Sequence, residues 1–283
     1  MSRPERSTLA FPEFRNALLA MAGGMVILGC IVRGWFYFRN FSLNHDDAAL
    51  ALNILEHSVW QLGDALDYGQ LAPWGFLAAE RAVVSLAGTS ELALRLVPFL
   101  ASFTSVPAFW YLAQRRLPLP EAVVATGFFS VSQALVGATI QVKQYSGEVL
   151  FSILLLLACG PLLDRSTTRR ERLLSAASGA AALWVSFSAV FILVGIGCVS
   201  IVGWRSREDM RQRLLVVGAW IVSGIICLIL GKRWNAVAPV HKFGKLRMEI
   251  WGYIFLGFGL LMTIPRLLEW MKVRHAVPPV RRK

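Results

Sequence analysis

The sequence predicts an all-α, polytopic helical membrane protein. Of its 283 residues, 56% are hydrophobic and only 16% are charged, less charge than the surface of a soluble chain this size carries. Several apolar stretches are long enough, or nearly so, to cross a hydrocarbon core of about 30 Å. No segment shows the alternating pattern of a membrane β-barrel. The formal net charge is +12. No basic soluble domain is left over to bind nucleic acid, so this charge reads as the Lys and Arg of cytoplasmic loops.

The N-terminus, "MSRPERSTLAFPEFRNALLAMAGGMVILGCIV", has a basic start. Its apolar run is too long for a signal-peptide core and lacks a small-residue cleavage site, which predicts a retained first span. Spans are expected at 17–38, 96–113, 121–138, 149–163, 174–187, 190–204, 215–231 and 248–264. The run from Ser175 to Trp204 must cross twice, turning at "WVSFS", if the basic stretches "RPERSTLAFPEFR", "QRRLPLP", "DRSTTRRERLL", "WRSREDMRQR" and the tail are to share one side. Eight crossings then leave both termini cytoplasmic. The basic loop "GKRWNAVAPVHKFGKLR" is the exception, lying outside in this scheme. The chain reads as one transmembrane domain over 1–283, with a core at 16–205 and further spans and a basic tail at 206–283.

The four cysteines, Cys30, Cys159, Cys198 and Cys227, all lie in apolar runs and form no CxxC pair. They read as packing residues rather than zinc ligands or a disulfide framework.

The outer face collects the polar residues. In segment 39–95, positions 47–62 have helical apolar spacing (Leu50, Ile54, Leu55, Val59, Leu62) around Glu56 and His57. That pattern predicts a helix in the membrane interface. A turn at Gly69–Pro73 precedes a second helix stopped by Gly88, and Thr89 or Ser90 caps the next. Asp46 and Asp47 are neighbours on a helix, so their carboxylates point about 100° apart and serve separate tasks. The plain alternative is an Asn44 or Asp46 N-cap with acids complementing the helix dipole.

Arg33 lies inside the first span, where it must snorkel or meet an outer carboxylate. Arg95 opens the second span as either an interfacial snorkelling residue or a phosphate ligand, since its planar fork suits phosphate oxygens. "QVKQYSGEV" gathers Gln141, Lys143, Gln144, Tyr145, Ser146 and Glu148 in one short connection. It is either an exposed turn or the lining of a wet cavity.

The order of these pieces is similar to that of the GT-C membrane glycosyltransferases. The D-[DE]-A pair after the first span is followed by "ALNIL", "YGQLAPWGFLAAER", "GTSELALRLVPFLASFTSV" and "QVKQYSGEV". The likeness is to the protein-mannosyltransferase-like bacterial group that includes aminoarabinose and galacturonic acid transferases, and it covers roughly residues 15 to 205. It implies a polyprenyl-phosphate sugar donor, a lipid or glycan acceptor, and inverting transfer at the periplasmic face of the inner membrane.

By that resemblance Asp46 matches the catalytic base and Asp47 the second acid. Tyr68, Gln70 and Pro73 fall in the first outer loop, Arg95 at the donor phosphate, and Lys143, Gln144 and Tyr145 in the second outer loop. Asp47 stands where glutamate is common in the family, and so does Gln141. Two adjacent acids are too few ligands to predict a divalent metal, and no other cofactor is expected. Family members are usually longer, with more spans than this chain. Two other readings therefore stand beside the transferase: a carrier or flippase for the lipid-linked sugar, and a non-catalytic subunit.

Overall fold

A computed structural model describes residues 12–163, 167–202 and 207–235. These residues form helices joined by short turns, with no strand among them. In chain order the helices are α1 (Pro12–Phe38), α2 (His45–Glu56), α3 (Trp74–Ala87), α4 (Glu91–Leu94), α5 (Leu96–Arg116) and α6 (Leu119–Val131). They continue with α7 (Gln133–Gly137), α8 (Tyr145–Cys159), α9 (Arg169–Val185), α10 (Ala189–Val202) and α11 (Arg207–Asn235). α1 packs on α5 and α6, α5 on α8, α8 on α9, and α9 on α11.

Among the described residues, four helical stretches are long and apolar enough to cross a membrane: Pro12–Phe38, Leu96–Arg116, Tyr145–Leu163 and Asp209–Cys227. A fifth results if the pair Leu119–Val131 and Gln133–Ile140, bent by 44°, counts as one span. Positions 174–187 and 190–204 fall on α9 and α10, of 17 and 14 residues. Both are shorter than the roughly 20 residues of a typical crossing. The break between them falls at Ser186–Ser188, inside the turn expected at 184–188. The span expected at 248–264 and the basic loop 231–247 lie wholly or largely outside the described residues.

The bend after α6 explains Arg33. A helix end leaves its last carbonyls without intrahelical donors, and α6 ends at Val131, one residue after the buried Ser130. Arg33 Nη1 donates to the Ser130 carbonyl at 2.8 Å and to the Gly29 carbonyl at 3.0 Å. Nη2 reaches the Phe129 carbonyl at 3.4 Å, and Nε donates to Ser102 Oγ at 2.9 Å. Arg33 is wholly buried. It therefore neither snorkels nor pairs with an outer carboxylate. Its partners are the Gly29 carbonyl one turn back on α1, two carbonyls at the α6 break far along the chain, and one hydroxyl. The α1–α6 approach needs Gly29, because a Cβ there would sit 2.9 Å from that of Ser130.

An apolar core lies beside the loops that follow α1. Leu50 and Ile54 of α2, Leu62, Phe76 and Leu77 of α3, Leu94 of α4, and Val142 form one buried cluster. A second cluster joins α8 to α11 through Leu155, Ala182, Leu193, Ile196 and Trp220. The first cluster fixes α2, α3, α4 and the segment of Val142 against each other and so positions the site.

Candidate functional site

The site begins at the N-terminus of α2. Asn44 is the cap: its side chain accepts from the Asp47 N–H at 2.8 Å. Asp46 and Asp47 follow in the first turn and diverge as neighbours on a helix must. Asp46 turns outward and Asp47 is buried. The helix stops at Glu56, short of the expected Leu62, because His57 is extended. Arg81 of α3 donates to the freed carbonyls of Ile54 and Leu55, both at 3.1 Å. Leu62 still reaches the core, from a short 3₁₀ turn.

Three chain segments meet at Asp46. Lys143 Nζ lies 2.8 Å from Asp46 Oδ2 and donates to Gln70 Oε1 at 2.6 Å. Gln70 Nε2 donates to Asp46 Oδ1 at 2.9 Å. The result is a closed ring of one carboxylate, one amide and one ammonium. The hydrogen bonds from Lys143 and Gln70 hold the Asp46 carboxyl below the ordinary carboxylate range. Lys143 is buried while Asp46 is largely exposed, so the ring is open to solvent on its acidic side.

Asp47 sits beneath the ring. Burial pushes its carboxyl up, opposed by the charges of Lys143 and Arg95 and by a hydrogen bond from the Val142 backbone. Arg95 occupies the break between α4 and α5, with Pro98 three residues on unable to supply a helical N–H. Arg95 is only 1% exposed, so it does not snorkel. Nη1 donates to Asn40 Oδ1 at 3.3 Å and lies 3.7 Å from Glu91 Oε2, while the buried Nε has no partner. Burial pulls its guanidinium down from its ordinary value.

The connection carrying Lys143 is not an exposed turn. Val142, Lys143, Gln144 and Ser146 are all buried, and Gln144 Oε1 and Ser146 Oγ have no hydrogen-bond partner. Tyr145 is half-exposed and lies in the electrostatic field of Asp46 and Asp47. Tyr68 is exposed on a turn with left-handed backbone, φ 58°. Pro73 is buried as the N-cap of α3, whose stop at Gly88 (φ 86°) is as the sequence predicts. Ser90, rather than Thr89, caps α4.

The structure thus joins Asp46, Gln70 and Lys143 directly and sets Asp47 and Arg95 beside them. It makes no direct bond from Tyr68, Gln144 or Tyr145 to the ring.

Two further residues went unremarked in the sequence. Asn53 is the one amide inside the apolar stretch "ALNIL", and it is buried. Glu80 follows Phe76 and Leu77 at helical spacing and precedes Val84, so it shares their apolar face. It is fully buried with neither carboxylate oxygen bonded, and burial pushes its carboxyl well above the ordinary range.

No family model, curated protein or solved structure matches this chain. Fold and site define a helical protein with several potential membrane-crossing helices and a charged, hydrogen-bonded cluster at the junction of its inter-helix segments.

Proposed function

We propose that this chain is an integral-membrane glycosyltransferase of GT-C type. It takes a sugar from a polyprenyl-phosphate donor and passes it, with inversion, to a lipid or glycan acceptor. The reading places the site on the periplasmic face of the inner membrane, with eight spans and both termini cytoplasmic. The observation that carries it is the Asp46–Gln70–Lys143 ring, drawn from three distant segments, with Arg95 buried nearby.

Glycosyl transfer from a lipid phosphate needs a base at the acceptor and cations at the leaving group. Asp46 takes the proton of the acceptor hydroxyl, and that oxygen attacks the anomeric carbon. The bond from that carbon to the phosphate oxygen breaks, and the phosphate leaves with the electron pair. A monoanionic diester becomes a dianionic monoester, so charge grows where Lys143 and Arg95 offer donors. In the ligand-free ring Lys143 is partly neutralised by Asp46. A donor phosphate competes for Lys143, and each step of that exchange raises the proton affinity of Asp46.

The carrier reading gains nothing from Arg33. That charge is spent on protein carbonyls and a serine rather than facing a path across the membrane. The test uses purified protein in liposomes with a panel of labelled polyprenyl-phosphate sugars and a lipid and glycan extract. The proposal expects labelled product. Donor that binds without product would replace it with the carrier or subunit reading.

A further inference from the structure

We propose that Asn53 is a positioning residue that acts through Gln70 to set the geometry of Asp46. This rests on the proposed reaction only for the role of Asp46 as base.

Asn53 stands seven residues after Asp46 on α2, about two turns along the same face. Its side chain grips the loop that carries Gln70. Asn53 Oδ1 accepts from the Asp67 N–H at 2.8 Å, and Nδ2 donates to the Asp67 carbonyl at 3.3 Å and to the Ala49 carbonyl at 2.8 Å. One amide thereby mimics a backbone pairing with Asp67.

The grip falls where the loop most needs it. Tyr68 and Gly69 are both left-handed, φ 58° and 66°. A non-glycine residue in that region is strained, and persists only where its surroundings fix it. The Asp67 carbonyl that Asn53 binds also accepts the backbone N–H of Gln70 at 3.2 Å. Release of Asp67 therefore frees the turn, and with it the Gln70 side chain that bridges Asp46 and Lys143. Helix α2 carries both Asp46 and the clamp that places its partner, so the two move as one rigid piece.

The test reads Asp46 directly, without the reaction. Full-length protein in nanodiscs is treated with a water-soluble carbodiimide and an amine, and modification at residue 46 is quantified by mass spectrometry. Asn53→Ala, Gln70→Ala and the double variant are compared with wild type. Gln70→Ala is expected to raise modification about fivefold, the effect of one lost hydrogen bond. Asn53→Ala is expected to match it, and the double variant to add nothing further. Wild-type modification in Asn53→Ala, or additive effects in the double variant, would overturn the proposal.

If Asn53→Ala does not fold, Asn53→Asp decides. It keeps the acceptor for Asp67 and loses the two donations, so intermediate modification is expected, and the wild-type level would overturn the proposal. Absence of glycosyl transfer by wild type would remove the reaction and leave the labelling result standing.

Discussion

Lys143 Nζ lies 2.8 Å from Asp46 Oδ2, with Gln70 bonded to both residues. The acid begins α2, and the ammonium sits just before α8. An ion pair whose carboxylate is this open to solvent contributes little to stability. Its consequence is chemical: in the proposed reaction, the group that takes a proton and the group that receives a phosphate hold each other until substrate arrives.

The acid limb of activity should therefore report on Lys143. The Asp46 carboxyl is held below its ordinary value, about 3.9, first by the Lys143 hydrogen bond and then by that of Gln70. A depressed carboxylate favours the folded state above its unfolded pKa, and that gain is lost as pH falls through the folded pKa. In Lys143→Met the carboxyl returns upward, so the acid limb of kcat/KM moves to higher pH. An unmoved limb would show that Lys143 does not tune Asp46.

Glu80 predicts the opposite slope. Its folded pKa is raised by burial, so the folded state holds a proton that the unfolded state has released. The stability it contributes is complete below about pH 4.3, the unfolded value, and is lost as pH rises through the folded pKa. Glu80→Gln removes this titration. The variant should gain thermal stability relative to wild type at pH 8 more than at pH 5, measured by unfolding in detergent.

Arg33 predicts a large structural loss. Its removal strands the carbonyls of Phe129 and Ser130 at the α6 break. Charge-assisted hydrogen bonds contribute about 1.5–3 kcal/mol each. Arg33→Ala should therefore cost about 3 kcal/mol or more, and Arg33→Lys about half of that, because a single ammonium cannot span the same acceptors. Thermal unfolding in detergent measures both.

Much of this was legible from local pattern. Hydropathy located α1, α5 and α8, and glycine and serine punctuated α3 and α4 where they stop and start. The acid pair, Gln70 and Lys143 could be singled out from the order of polar stretches. What local pattern cannot supply is the partner of a buried polar group. Arg33 reads as meeting water or a carboxylate because its acceptors on α6 exist only once that helix breaks beside it. Arg95 reads as interfacial until the α4–α5 break turns it inward. Asn53 and Glu80 were polar residues on apolar helix faces, a signal present in the sequence. Their different fates, one fully bonded and one unbonded, depend on the loop and helix packed opposite.

The most direct measurement of the central claim compares wild type with Asp46→Asn in liposomes supplied with labelled polyprenyl-phosphate sugars and acceptor extract. Asp46 is largely exposed, so the variant should insert and unfold like wild type. The account predicts transfer reduced by about 10²–10⁴-fold, the range of a lost general base. Equal transfer by the folded variant would contradict the role of Asp46.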